Sequence, residues 1–421
     1  MFRTKFALTQ AAASGSSTGD WQGTNYGYLA GHGERNQQGD LWSSWIERFP
    51  FSADFTNSTD VGDLSFGIPH TASTGGNAYD SNRHFIYYFY QPNNTPYYGV
   101  RGNPGLSAPQ MLAITPQYNS QKSHHKKIQS HTFASSVSSE SAGEISVATG
   151  GSTAMFSPTT AYIVHGLDPS TVNYTPNPIG PTLKVYGAMD KHAMTSGTNT
   201  TAIPATNFSG EPGYAWSANS PTDGYVYQSP QNSGAPVDNR FSKFSFSSES
   251  TNAVNVSSTM IRWPAAESSQ SNNPQFGSPN PTYFDEQWLE YRGMRQAMAT
   301  STGSEMYVFG GKGFVPRAAL GDIYKIPFAS DITSAVDTGY NLYESMAFPR
   351  NGGRTSVSTT DAYLGGGSND PSSASSDNSI YAVDIQKFSF ASNANATKAG
   401  EISNISPSYY NGYQGGFWGS N

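Results

Sequence analysis

Histidine is the residue type in this chain that most readily supplies acid–base or metal chemistry, because the sequence has eight histidines and no cysteine. His124 and His125 are adjacent, so on a strand they would point to opposite faces and would not chelate one metal ion. An eight-residue phrase recurs along the chain, and His131 and His192 stand at the position that is Phe in other copies of it. We therefore expect both imidazoles to be buried packing residues and not metal ligands.

Acidic residues recur in turn-like segments, at Asp60, Asp63, Glu144 and Glu401. Carboxylates placed this way could bind Ca²⁺ between repeated units. We favour a structural role in which the side chain accepts hydrogen bonds from backbone N–H groups, because a catalytic pair should be unique and not distributed along the chain. The sequence therefore predicts no catalytic residue, no metal site and no cofactor, and it predicts that the protein is not an enzyme.

Aromatic residues are the remaining candidates, because Tyr and Trp can stack on sugars or anchor a protein partner. They concentrate in two apparent insertions, near 87–125 and 264–300, and the second of these contains a predicted helix from Asp285 to Met298. The alternative is that these rings pack on their own sheet. The candidate partner-binding residues are Tyr90, Tyr97, Tyr98, Trp288 and Tyr291.

The elements that would position such loops are visible as a recurring eight-residue phrase. It reads Ile-Gln-Lys-Phe-Ser-Phe-Ala-Ser at 385–392, and its alternation of apolar and polar residues is typical of a half-buried strand. The other copies begin at residues 46, 128, 189, 241 and 323, with the weakest match at 3–9.

Two further patterns accompany the phrase in a constant order. An aromatic-aliphatic strand ending in Gly, such as 306–311 or 26–31, precedes it. A polar turn and a tail follow it, as in Ala-Gly-Glu-Ile-Ser at 142–146 and at 399–403. This order predicts one four-stranded antiparallel sheet per repeat.

The two ends of the sequence carry complementary parts of a repeat. Residues 413–419 resemble the Gly-Gly strand without a phrase after it, and 3–9 is a phrase without the strand before it. A ring needs its first and last strands to share one blade. We predict an all-β fold in which 1–421 form a single β-propeller of seven blades, or six if the match at 3–9 is coincidental, closed by strands from both termini. The alternative is a β-sandwich.

The Gly-Gly strand resembles the kelch class of propeller repeat, although the Trp expected near the end of each kelch blade is missing. The phrase at 48–54 with its tail at 59–65 is similar to repeats in tail and appendage proteins of marine bacteriophages. This resemblance covers most of the chain. It implies a protein on the exterior or tail of a virion that binds other virion structural proteins and a host-surface glycan or receptor.

Composition narrows the function classes further. The net charge of −7, without a basic stripe, argues against nucleic-acid binding. No run of about 18 apolar residues is present, which argues against membrane insertion. The sequence as a whole predicts a non-enzymatic structural or interaction protein of a bacteriophage tail, fibre or capsid appendage. The alternatives are a carbohydrate-binding lectin propeller and, less favoured, a glycan-active enzyme with a funnel at the propeller axis.

Overall fold

The computed structural model describes part of the chain, and the account that follows concerns these residues. They are 22–30, 35–36, 39–40, 42–52, 54–69, 76–79, 83–90, 125–133, 139–146, 153–165, 189–194, 198–203, 216–228, 240–249, 252–257, 294–295, 297–310, 312–313, 321–343, 355–365, 384–392, 394–403 and 417–420.

The described residues form β-strands throughout, and no α-helix occurs among them. The strands of the first half are β1 (Tyr26–Ala30), β2 (Arg35–Asn36), β3 (Gly39–Asp40), β4 (Trp42–Pro50), β5 (Thr59–Pro69), β6 (Gly76–Tyr79), β7 (Arg83–Tyr90), β8 (His125–Thr132), β9 (Glu140–Gly143), β10 (Thr153–Phe156), β11 (Thr160–Val164), β12 (Met189–Ala193) and β13 (Thr201–Ile203). Those of the second half are β14 (Trp216–Asn219), β15 (Asp223–Gln228), β16 (Arg240–Ser245), β17 (Val254–Asn255), β18 (Met294–Arg295), β19 (Met298–Ser301), β20 (Glu305–Phe309), β21 (Lys312–Gly313), β22 (Asp322–Pro327), β23 (Val336–Asn341), β24 (Ser356–Val357), β25 (Asp361–Gly365), β26 (Asp384–Ser389), β27 (Thr397–Glu401) and β28 (Phe417–Ser420).

Six four-stranded antiparallel sheets form the blades of a single β-propeller, as the predicted fold class requires. The innermost strands lie side by side around the axis, with β28 next to β6 and β24, and β14 next to β10 and β19. From the innermost strand outward, the blades are blade 1 (β28-β1-β4-β5), blade 2 (β6-β7-β8-β9), blade 3 (β10-β11-β12-β13), blade 4 (β14-β15-β16-β17), blade 5 (β19-β20-β22-β23) and blade 6 (β24-β25-β26-β27).

Strands from both ends of the chain complete blade 1, which confirms the predicted closure. Phe417–Ser420 pairs antiparallel with Tyr26–Ala30, placing Gly27 opposite Ser420 and Ala30 opposite Phe417. The identification of the C-terminal segment with the Gly-Gly strand is wrong, however. That segment is the innermost strand, whereas Tyr26–Ala30 holds the second position, which the Gly-Gly strands of the other blades also occupy.

The prediction of seven blades is wrong. The phrase supplies the third strand of each blade, and its copies beginning at 46, 128, 189, 241, 323 and 385 fill six sheets. The described residues contain no seventh four-stranded sheet, and blade 6 already contacts blade 1, where Ser58 N donates to Glu401 O at 2.7 Å. The seventh blade depended on the weak match at 3–9, which lies outside the described residues.

The predicted helix from Asp285 to Met298 is wrong where the structure describes it. Met294–Arg295 pairs with Lys312–Gly313, and Met298 begins the innermost strand of blade 5. Residues 285–293 and 296 of the predicted helix lie outside the described residues.

In blades 1, 4 and 6 the core pairs a small residue on the second strand with a Phe on the third. Gly27 lies opposite Phe49, and a Cβ added to Gly27 would overlap the Phe49 ring. Ala362 likewise lies opposite Phe388. The aromatic side chain of the phrase therefore occupies room that the neighbouring strand leaves open, at the density expected of a protein interior.

The glycine of the tail has a comparable explanation. Gly143 has φ +116°, a conformation that residues with a Cβ rarely adopt, and an added Cβ would lie 2.6 Å from Thr198 O of blade 3. Beside it, Thr200 N donates to Glu144 O at 2.9 Å. The tail is thus the place where the backbone of the next blade crosses the outermost strand.

Connections between strands alternate between the two faces of the disc, because consecutive strands are antiparallel. The first-to-second and third-to-fourth connections, such as 157–159 and 194–200, lie on what we call the hairpin face. The second-to-third connections and the links between blades begin and end on the opposite side, the loop face. The longest of these are 91–124 and 256–297, which include most of the two predicted insertions.

Candidate functional site

Aromatic contacts between neighbouring blades repeat around the disc. In each described case a Tyr on the second strand of one blade packs on the sixth residue of the phrase in the next blade, so the pair spans the interface. The ring centroids are separated by 4.4 Å for Tyr28–Phe133, 5.3 Å for Tyr162–Phe246, 4.7 Å for Tyr225–Phe328, 5.0 Å for Tyr307–Phe390 and 4.8 Å for Tyr363–Phe51. Each such pair stabilises a fold by about 0.5–1.5 kcal/mol, in addition to the free energy gained from the surface area that the rings bury.

Three of these tyrosines donate hydrogen bonds across the interface: Tyr162 Oη donates to the Glu249 side chain of blade 4 at 2.9 Å, and the other two donate to backbone carbonyls. Tyr28 Oη donates to Phe133 O at 2.7 Å, and Tyr363 Oη donates to Phe51 O at 3.1 Å. Burial raises the pKa of both phenols, so they remain neutral donors at physiological pH. These phenols are therefore structural groups and not general acids or bases.

A buried polar side chain at the second position of the phrase joins each of several blades to the one before it. In blade 1 this residue is Glu47, which is fully buried. It accepts hydrogen bonds from Ser403 N at 3.2 Å and Ser403 Oγ at 2.8 Å, both from the end of blade 6, and from Ser58 of its own blade. We call this arrangement the latch.

Blade 3 has a second carboxylate latch, with Asp190 as its acceptor. Ser146 of blade 2 donates to Asp190 from its backbone N at 2.7 Å and from Oγ at 2.6 Å. Thr200 Oγ1 also donates to this carboxylate, and His165 Nε2 lies 3.0 Å from Oδ1. Burial acts to raise the pKa of Asp190, but the His165 and hydroxyl contacts outweigh it and lower the pKa to about 2.

Neutral amides fill the same position in two other blades. Gln129 accepts a hydrogen bond from Ser139 Oγ at 2.6 Å. Gln386 accepts one from Tyr343 N at 2.8 Å, and its amide donates back to Tyr343 O. Gln386 therefore holds the end of blade 5, as Glu47 and Asp190 hold the ends of the blades before them, whereas the Gln129 contact lies within blade 2.

His165, Asp190 and Ser146 are the residue types of a hydrolase triad, but their geometry does not match one. Both His165 and Asp190 are 1% exposed, so substrate has no access to the pair. Ser146 Oγ donates to the carboxylate, whereas nucleophilic catalysis requires the hydroxyl to reach the imidazole. Sequence analysis missed these residues. The available signal was that the tail of blade 2 ends in Ser146, as the tail of blade 6 ends in Ser403.

The recurring acids of the tail have structural roles where their contacts are seen. Asp60 Oδ1 accepts a hydrogen bond from Gly62 N at 3.1 Å, as predicted. The backbone carbonyls of Glu144 and Glu401 accept hydrogen bonds from Thr200 N and Ser58 N, and the Glu401 side chain forms an ion pair with Lys398. Within the described residues, no group of three or more His, Asp or Glu side chains is arranged to hold a metal ion.

His131 and His192 are buried blade residues, which confirms that prediction. They are 3% and 0% exposed. His131 lies between the rings of Tyr28 and Phe133, at centroid distances of 5.7 Å and 5.4 Å.

The propeller axis is uncharged along its innermost strands. These strands have the sequences Gly-Asn-Ala-Tyr, Thr-Ala-Met-Phe, Trp-Ser-Ala-Asn, Met-Ala-Thr-Ser, Ser-Val and Phe-Trp-Gly-Ser. None of them contains Asp, Glu, His, Lys or Arg, and β10, β14, β19 and β24 are buried throughout. These strands therefore offer no carboxylate pair for glycoside hydrolysis.

The predicted partner-binding residues fall on the loop face or outside the described residues. Tyr90 ends β7 and pairs with His125 of β8, at the loop-face edge of blade 2. Tyr97 and Tyr98 belong to the connection that follows it, and Trp288 and Tyr291 to the link between blades 4 and 5. These four lie outside the described residues, so the role of the candidates in partner binding stays a prediction.

Among the described residues, no helix has the length and apolar character needed to cross a membrane.

Comparison with known proteins adds no family to this geometry. No protein-family model matches the chain, and no curated protein matches it.

Proposed function

We propose that this chain is a non-enzymatic interaction protein of a bacteriophage virion, located in a tail, fibre or capsid appendage. Its ligands would be neighbouring virion proteins and a host-surface glycan or receptor. The virion setting is supported by the similarity of its phrase and tail to repeats of marine phage appendage proteins. The interaction role is supported by the distribution of polar side chains within the propeller.

The observation that carries the interaction role is the position of the buried ionisable side chains. They lie between blades, where they hold the propeller together. The buried carboxylates Glu47 and Asp190 hold the ends of preceding blades, and the innermost strands have no charged residue. The long connections, in contrast, begin and end on one face. Loops carried by a rigid scaffold are where binding residues collect.

The virion assignment is tested by mass spectrometry and imaging of purified phage particles. We expect peptides of this chain in particles that survive density-gradient purification and high-salt washing. An antibody against the chain should label one fixed position on the particle. Peptides confined to the lysate, with washed particles devoid of them, would contradict the assignment.

A lectin is the second candidate, favoured by the adjacent Tyr97 and Tyr98 in the longest loop-face connection of blade 2. A glycan array with the purified chain separates it from the scaffold role. Selective sugar binding that is lost in Tyr97→Ala and Tyr98→Ala would favour the lectin. Thr159→Ala, an exposed residue of the hairpin face, is the matched control and should leave binding unchanged.

A further inference from the structure

Each interface between neighbouring blades is filled by the fourth residue of the phrase, on the third strand. The interface between blades 6 and 1 (6/1) contains Phe49, and the 3/4, 4/5 and 5/6 interfaces contain Phe244, Ile326 and Phe388. At the 1/2 and 2/3 interfaces the equivalent residues are His131 and His192. Blade 2 therefore has a buried histidine at both of its interfaces, and the other blades have an aromatic or aliphatic side chain on at least one side.

The surroundings of His131 suit a neutral ring. The groups packed on it are Tyr28, from blade 1, and Phe133, with His84 opposite it in the strand register. The charged side chain next to this group is Arg48, whose proximity to Tyr28 would repel a further positive charge. Burial lowers the pKa of His131 to about 3.

His192 is buried opposite Ala161, at the position of the repeat whose equivalents in other blades face the preceding blade. It lies two residues from Asp190 on the same side of the strand, and the ionisable groups there are Asp190 and the His165 bound to it. Glu144 of blade 2 approaches through its backbone, and its side chain is exposed. Since Asp190 attracts positive charge, we expect a weaker acid response from His192 than from His131.

We propose that blade 2 is an acid-responsive blade, in which protonation of His131 and His192 loosens both of its interfaces while the remaining interfaces hold the disc together. Strands β7 and β8 flank the 91–124 connection on the loop face. Loosening blade 2 would therefore also affect the loop-face ends of these two strands. The device is independent of whether the ligand of the loop face is a glycan or a protein.

The sign and size of the effect follow from proton linkage. A histidine held neutral in the closed blade binds protons more strongly once the blade opens, so stability falls as the pH drops below the ordinary value of 6.5. At pH 5 the opened state gains a factor of about 30 from His131 alone, relative to pH 8.

Native-state hydrogen exchange on the full chain tests the proposal. The opening equilibrium of His125–Thr132 in blade 2 is compared with that of Asp322–Pro327 in blade 5. Their ratio cancels the intrinsic pH dependence of exchange. We expect the ratio to rise by about 10- to 30-fold between pH 7.5 and pH 5. A ratio that stays constant in the folded protein would overturn the proposal.

Exchanging residues between interfaces tests the cause. His131→Phe combined with His192→Phe installs the residue of the 6/1, 3/4 and 5/6 interfaces, and it should abolish the pH dependence of the ratio. The reverse exchange, Phe388→His, should give the 5/6 interface an acid response of its own. If the double variant does not fold, the wild-type ratio and Phe388→His decide. A folded double variant with the wild-type response would refute the role of both histidines.

Discussion

The 6/1 and 2/3 interfaces are built from the same positions of the repeat but hold their blades in different ways. Both have a carboxylate latch, Glu47 in one and Asp190 in the other. At 6/1 four backbone hydrogen bonds are added, from Gly23 N to Val357 O, from Phe55 N to Ala399 O, from Ser58 N to Glu401 O and from Glu401 N to Thr56 O. At 2/3 the corresponding described backbone bond is the one from Thr200 N to Glu144 O, and a buried histidine replaces Phe49.

The difference teaches where main-chain bonding is most needed. The outer three strands of blade 1 come from the N-terminal part of the chain, and blade 6 precedes only the innermost strand, β28. Non-covalent contacts must therefore hold those outer strands to blade 6. At 2/3 the chain passes from one complete blade to the next, so this interface depends less on backbone hydrogen bonds between blades.

Loss of β28 should destabilise blade 1, and with it the 6/1 interface, more than any other change considered. Deleting Phe417–Asn421 removes the innermost strand of blade 1 and exposes the edge of β1. We expect a destabilisation of more than about 4 kcal/mol and a loss of cooperative thermal unfolding. A length-matched variant with Gly and Ser in place of Phe417–Ser420 should be almost as unstable. An unchanged melting temperature in either variant would contradict closure by this strand.

Removing the acceptor of the 6/1 latch should have the next largest effect. Glu47→Ala leaves the buried donors of Ser58 and Ser403 without their carboxylate, at a cost of about 3 kcal/mol. The neutral amide in Gln386→Ala should cost about 1–2 kcal/mol. Urea unfolding at pH 7 measures both, and equal losses would argue that charge adds nothing to the latch.

The 2/3 latch should show a pH dependence of its own. Because Asp190 has a pKa of about 2 in the folded protein against an ordinary 3.8, its contribution is complete above pH 4 and is lost as the pH falls towards 2. The stability lost over this range is about 2 kcal/mol. The difference in unfolding free energy between the wild type and Asp190→Asn, measured from pH 5 to pH 2, isolates this group. A difference independent of pH would contradict the latch.

Removing the tyrosine hydroxyls gives the smallest expected effect. It tests whether the 1/2 and 6/1 interfaces of blade 1 are equivalent. Tyr28→Phe and Tyr363→Phe each remove one hydrogen bond and keep the ring pair, so each should cost about 1 kcal/mol. Chemical denaturation resolves such a change. A loss several times larger in only one variant would show that the 1/2 and 6/1 interfaces use this contact differently.

The strand order within a blade was predictable because local pattern carries it. Alternation marks the phrase as the third strand, and the glycine of the tail marks the outermost strand that the next blade crosses. Burial of His131 and His192 was also predictable, since both stand at a Phe position of the repeat. Each of these features repeats, and repetition makes a weak local signal readable.

The number of blades and the carboxylate latches depend on contacts between blades, which no single segment encodes. The weak match at 3–9 has the residue types of the phrase without a place in a described sheet. The partnership of Asp190 with Ser146 and His165 joins segments from two blades. The pairing of Met294–Arg295 with Lys312–Gly313 likewise joins segments that the helical spacing before Met298 did not connect.

The fit of Phe49 over Gly27 has a consequence for how this sequence evolves. Any side chain at residue 27 would collide with the ring, whereas trimming residue 49 alone would leave a void. Substitutions at the two positions should therefore arise as compensating pairs. Covariation between the two positions in an alignment of relatives would then indicate that the residues are in contact, which neither position shows by itself.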